Sequence, residues 1–270
     1  MSDAIFRFFI YLSELLALTL GTVALCGLSV QLCSRLFTRL SGGTSGAFFD
    51  ITSIVGTPVH ELGHAVMCPL FGHKIQSMKL WSPDAKNGTY GYVEHSYNRR
   101  NPWARLGNLF IGIGPIFSGL GAVTLTMWLC FPPQWDAYLA STRALAVRGG
   151  SFRELTDGLF LLFRSIPGAI RNDWLRSILG LLIILPVSLH ITLSWQDLRS
   201  SMSALPLYLL MLAVFALVTS DAGVSKTILD ILLLSNLRML SLFSIVIAFS
   251  AVWVVLALLW RGIRIFVSWF

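Results

Sequence analysis

Apolar residues run in long blocks separated by short polar breaks. Ala4 to Leu32 is apolar apart from Arg7, Glu14 and a few hydroxyl residues, long enough to cross a bilayer core of about 30 Å. It reads as a retained helix rather than a signal peptide, being too long, weakly basic at its start and without a clear small-residue cleavage site. Arg35, Arg39 and the glycine- and serine-rich linker Ser41 to Gly46 end it. Further apolar blocks run from Phe48 to Phe71, Leu106 to Phe131, Ile178 to Leu193, Leu205 to Thr219 and Leu237 to Trp260. The pattern predicts an all-α polytopic membrane protein with about six transmembrane helices.

The polar connections carry their own signals. Ile75 to Trp81 and Thr89 to His95 have β-type content around the turn residues Pro83, Asp84, Asn87 and Gly88, which predicts a small β-hairpin after the second helix. Between Gln134 and Arg176, Phe152, Leu155, Leu159, Phe163 and Ile166 recur at helical spacing opposite Arg153, Glu154, Asp157 and Arg164, and Ser151 with Glu154 forms a capping box. That predicts an amphipathic helix on the membrane surface. Lys226 to Arg238 fits either an interfacial helix or an extension of a neighbour. The chain divides into an N-terminal helix and linker (1–47), a core (48–200) and C-terminal helices (201–270), with no internal repeat.

The second block holds His60-Glu61-Leu62-Gly63-His64. Residues four apart share one face of a helix, so His60 and His64 can offer two imidazole nitrogens to one metal ion, Zn²⁺ being the expected cofactor. Glu61 projects beside that metal, where a carboxylate can take a proton from water and hand it to a leaving amine. Ionisable residues are costly within an apolar segment, which makes chance a poor account of the pattern. Thr57-Pro58 precedes it, and a proline there loosens the helix and can help direct His60.

Composition agrees with the block pattern. The chain is 55% hydrophobic and 12% charged, against roughly 25% charged in soluble domains. A net charge of +7 invites a nucleic-acid reading, but the basic residues are scattered between apolar blocks, as in loops beside anionic lipid. The expectation is a lipid bilayer as partner, and no nucleic acid. Cys26, Cys33, Cys68 and Cys130 form no close pair, so neither a disulfide framework nor a thiolate site is indicated.

The motif and its surroundings resemble the site-2 proteases, a family of intramembrane zinc metalloproteases. The resemblance rests on Pro58 to His64 running on to Leu70-Phe71-Gly72, on Gly91-Tyr92-Val93, and on Arg105 with Gly114-Pro115; Asp197 is a weaker fourth piece. It implies a hairpin dipping toward the active site, a substrate-binding role for Gly91, Tyr92 and Val93, and a Gly-Pro pair, Gly114-Pro115, near the catalytic helix. The family's asparagine after that pair is missing, and Asn108 is the candidate to stand in for it. Many members insert a PDZ domain in the connection before the fourth helix; the stretch from Gln134 to Arg176 is too short for one.

A catalytic metal needs a third protein ligand. The resemblance implies an aspartate near the end of a later helix, which points to Asp197, although the family's Leu-Asp-Gly pattern is replaced here by Asp197-Leu198. His190, expected two turns earlier on the same face, is either the ligand itself, a substrate-binding residue in place of a family asparagine, or a helix-packing hydrogen bonder. His73, Glu94 and His95 are weaker candidates. With six spans, the end of the second helix, the hairpin, the start of the third and the end of the fourth fall on one membrane side. Lys and Arg are equally divided between the two sides, so charge alone chooses no orientation; basic residues beside the hairpin, together with the family resemblance, favour that side as cytoplasmic, in a cell or inner membrane. The expected function is a zinc-dependent intramembrane endopeptidase with Glu61 as general base. The alternative is a non-catalytic zinc-binding scaffold subunit of a larger complex.

Overall fold

The computed structural model describes residues 2–82, 90–148 and 152–267. It is helical throughout except for one two-stranded antiparallel sheet. The first helical stretch comprises α1 (Ser2–Leu16), a π-helical turn at Ala17–Gly21 and α2 (Thr22–Ser41); it breaks at the 3-10 turn Gly42–Thr44 before α3 (Ser45–Leu70). Strands β1 (Lys74–Lys79) and β2 (Tyr92–Ser96) follow, then α4 (Pro102–Cys130), α5 (Pro132–Arg148), α6 (Phe152–Asn172), α7 (Trp174–His190), α8 (Trp195–Val218) and α9 (Ala222–Val267). Among the described residues, Ala4–Leu70, Pro102–Cys130, Trp195–Val218 and Gly223–Val267 are long and apolar enough to cross a membrane, and Trp174–His190 is a shorter apolar helix. Their outer faces expose Ile51, Leu182, Leu210 and Val218.

Helices α3, α4, α7 and α8 pack together around the motif, and α2 lies along α9. Helices α3 and α4 approach closely at a pair of glycines. A Cβ placed on Gly63 would lie 2.6 Å from the Gly114 backbone, and one on Gly114 2.5 Å from the Gly63 carbonyl oxygen. Only paired glycines let two backbones meet this closely. The core continues through Val23, Val30, Ile116, Met127, Ile184 and Phe249.

Local chemistry sets the helix starts. Pro102 occupies the first turn of α4 while the Asn101 side chain accepts from the Trp103 amide at 2.9 Å. Ser194 and Asp197 make a reciprocal capping box at the start of α8. Asp197 therefore opens α8 rather than closing the preceding span. The chain leaves helical geometry after His190 and re-enters at Trp195, so His190 and Asp197 do not share a helix face as the continuous apolar run suggested.

The hairpin forms with shorter strands than expected, pairing Lys74 with Ser96 and Lys79 with Tyr92, with an irregularity between Ile75 and Ser77. Its expected turn residues, Pro83, Asp84, Asn87 and Gly88, lie outside the described residues. The hairpin is anchored to α3 where the Trp81 indole donates to Ser53 at 2.9 Å and the Tyr90 hydroxyl donates to Asp50.

The amphipathic stretch differs from expectation. It is two helices, and the apolar stripe of α6 is used within the protein: Leu155 and Leu162 are buried and Phe163 packs on Phe249 of α9. Beneath it, the buried Tyr138 hydroxyl bonds the Ser241 carbonyl at 2.5 Å and the Ser244 hydroxyl at 2.8 Å. The stripe covers protein rather than a bare membrane surface because α5 and α9 offer it an apolar face. Ser151 of the expected capping box lies outside the described residues. Lys226 to Arg238 is the N-terminal part of α9.

Candidate metal centre

His60 and His64 sit one turn apart on α3, and Asp197 reaches them from the first turn of α8. The Nε2 atoms of the two histidines are 3.3 Å apart; Asp197 Oδ1 lies 3.2 Å from His64 Nε2 and Oδ2 lies 3.7 Å from His60 Nε2. One donor atom from each residue falls within 4.8 Å of the others, so the three can hold a metal ion. His190 and the fully buried Cys68 lie outside this donor set.

The hydrogen bonds behind the donors fix their protonation. His60 Nδ1 donates to the His190 carbonyl at 3.0 Å, and His64 Nδ1 donates to the Ile111 carbonyl at 2.7 Å. A carbonyl only accepts, so in each neutral ring the proton is on Nδ1 and Nε2 presents a lone pair. Two lone pairs facing each other across 3.3 Å repel; a cation between them, with the Asp197 carboxylate alongside, removes the repulsion. The residues present fit a metal.

Each carbonyl is available for a traceable reason. Pro115 has no amide proton, so the Ile111 carbonyl four residues before it lacks its usual helical donor. The chain stops being helical at His190, and Ser194, whose amide would otherwise turn to that carbonyl, donates instead to Asp197 Oδ2 at 2.8 Å. One helix break thus frees the acceptor for His60 and orients the carboxylate of Asp197. Pro58 does not interrupt α3; the direction of His60 comes from α7.

These groups line a cavity of about 680 Å³ together with Glu61, Gly91, Tyr92, Val93, His95 and His190. Glu61 is buried, and among the described residues no hydrogen bond reaches its carboxylate, which leaves it free to exchange protons. Gly91 lies against it: a Cβ on Gly91 would come within 2.8 Å of Glu61 Cγ and of Thr57 Cγ2. Tyr92 and Val93 line the cavity from β2. The His190 ring sits over Gly56, bonds the Pro186 carbonyl through Nδ1 at 3.0 Å, and leaves a buried Nε2 with no hydrogen-bond partner among the described residues.

Three candidates are placed elsewhere. Asn108 is buried in α4 and does not line the cavity. Gly114 and Pro115 do not line it either: Gly114 is spent on the contact with Gly63, and Pro115 acts through the carbonyl it leaves to His64. A further pair was not legible in the sequence. His73 and His95 lie 22 positions apart, yet their Nδ1 atoms are 2.9 Å apart. No spacing rule joins the end of a helix to the far strand of a hairpin, although the strand register that pairs Ile75 with His95 would have done so. Comparison of the chain with protein-family models, with curated proteins and with solved structures finds no match.

Proposed function

We propose that this chain is a multi-pass membrane zinc endopeptidase of the site-2 protease type, hydrolysing peptide bonds in membrane-embedded substrates. The observation that carries the reading is the convergence of His60, His64 and Asp197 with the Glu61 carboxylate on one cavity walled by the hairpin. Two imidazoles and one carboxylate, with a side left open, form the donor set of catalytic zinc rather than of a closed structural site. Six crossings follow if Ala4–Leu70 crosses twice about its break at Gly42 and α7, 17 residues or about 25 Å long, also crosses.

His60, His64 and Asp197 would hold Zn²⁺, which when bound would supply Lewis acidity to a peptide carbonyl and to water. The Glu61 carboxylate takes a proton from the attacking water and delivers it to the departing amine nitrogen. Asp197 is kept from swinging away by the Ser194 amide, and the histidines by the Ile111 and His190 carbonyls. The hairpin closes one side of the cavity, and its edge can receive an unwound segment as an added strand. A helical substrate must unwind first, because its amides are otherwise engaged within the helix.

Purified full-length chain in detergent, loaded with zinc, is expected to cut a model membrane protein whose spanning segment carries helix-breaking residues. Asp197→Ala should lose both zinc and cutting. Cutting that survives complete loss of zinc would refute the reading.

A further inference from the structure

The hairpin carries a histidine pair that the metal centre does not use. His73, just beyond α3, is buried; its Nε2 donates to the Ala104 carbonyl at 2.7 Å, and its ring stacks on Tyr97 with centroids 4.5 Å apart. Because a carbonyl only accepts, His73 carries its proton on Nε2, and in the neutral ring Nδ1 is a bare lone pair. That lone pair faces Nδ1 of His95 at 2.9 Å, so with both rings neutral the proton between them belongs to His95. His95 is thereby fixed with its proton on Nδ1 and a lone pair on Nε2.

The His95 ring stands in the wall of the cavity that holds Glu61, His60 and His64, and among the described residues nothing hydrogen-bonds to its Nε2. Burial, with His73 and His64 nearby, holds its pKa below the ordinary histidine value. A cavity-lining histidine is thus held by a buried support. The groups opposite it are committed: Asp197 to the metal and Ser194, Glu61 to proton transfer.

Resting on the peptidase reading, we propose that His95 is a substrate-positioning residue whose Nε2 accepts a hydrogen bond from one backbone N–H of the unwound peptide. A peptide unwound in an apolar cavity needs an acceptor for each freed N–H, and His95 supplies one beside the reacting bond. The consequence is a specificity rule. At that one position the substrate carries a free amide, and proline is rejected, since it lacks the donor and places a carbon against the ring.

The test uses full-length Glu61→Gln protein with zinc bound, in detergent, and a short Leu/Ala peptide series in which each member is N-methylated at one successive amide. One position is expected at which N-methylation weakens binding about five- to tenfold, the worth of one hydrogen bond. His95→Phe should weaken the unmethylated peptide by a similar factor and erase the effect of methylation at that position only, while His95→Gln, which keeps an acceptor, recovers part of the loss. In ¹⁵N-histidine spectra His95 Nε2 should be unprotonated and shift on peptide addition. An identical methylation profile with and without His95, a protonated Nε2, or no binding by any peptide of the series would overturn the inference. If the parent still cuts its membrane substrate in that case, the peptidase reading survives alone; if parent and Glu61→Gln cut alike, the peptidase reading falls first.

Discussion

His64 Nδ1 donates to the Ile111 carbonyl at 2.7 Å, and that carbonyl is spared its usual helical donor because Pro115 has no amide proton. The proline in α4 thus acts on the metal site from behind the ligand, without touching the cavity. Pro115→Ala would restore an amide that competes for the Ile111 carbonyl. Metal affinity, read by competition with a chromophoric chelator, is expected to fall about tenfold, at the lower end for loss of a ligand's outer partner. Thermal stability should hold or rise, because a helical hydrogen bond is regained. Unchanged affinity would show that the carbonyl does not depend on the proline.

The donor set separates two residues that the sequence left in competition. Asp197→Ala should weaken metal binding by more than the ~10²-fold that loss of an outer partner costs. His190→Ala should retain it, because His190 serves His60 through its backbone carbonyl. Metal content of the two purified variants decides the matter, and the reverse order would remove Asp197 from the site.

Gly91 is expected to tolerate no side chain. A Cβ there would lie 2.8 Å from Glu61 Cγ, forcing either the hairpin or Glu61 to move. Misplacing a catalytic group by about 1 Å can cost ~10² in rate, so Gly91→Ala should lose turnover on that order while keeping its metal. Full turnover in Gly91→Ala would place the working position of Glu61 elsewhere.

Much of this was legible in the sequence, for physical reasons that also mark where legibility ended. The four-residue spacing of His60 and His64 gives a shared helix face, the apolar blocks mark the long helices, and the β-type content of Ile75 to Trp81 and Thr89 to His95 marks the paired strands. The break between α7 and α8 was not legible: the apolar run continues through Leu193 without glycine or proline at the break, and the stop is made by Ser194 and Asp197 capping the next helix. The destination of the α6 stripe was hidden because periodicity gives a buried face but not what buries it. Gly114-Pro115 was recognisable as a motif, yet its contact with Gly63 and its release of a carbonyl to His64 are tertiary. The His73–His95 pair depends on strand register.

Orientation gives a separate test. With alternating crossings, Arg99 beside the hairpin and Arg171 at the end of α6 fall on opposite faces, and both are exposed. Cysteine at position 99 is expected to be labelled by an impermeant reagent only from the cytoplasmic side, and cysteine at 171 only from the other. Labelling of both from one face would overturn the six-crossing arrangement.

The central claim, that Glu61 moves a proton for peptide hydrolysis at a metal held by His60, His64 and Asp197, is tested most directly by Glu61→Gln. The measurement compares metal content and the cut or uncut state of membrane proteins in cells carrying the parent or the variant. The account predicts full metal occupancy in both, a loss of ~10²–10⁴ in cleavage rate toward the high end, and at least one membrane protein accumulating uncut in the variant alone. Glu61→Gln that keeps its metal and leaves every membrane protein cut as in the parent would contradict the enzymatic reading and leave a metal-binding scaffold in its place.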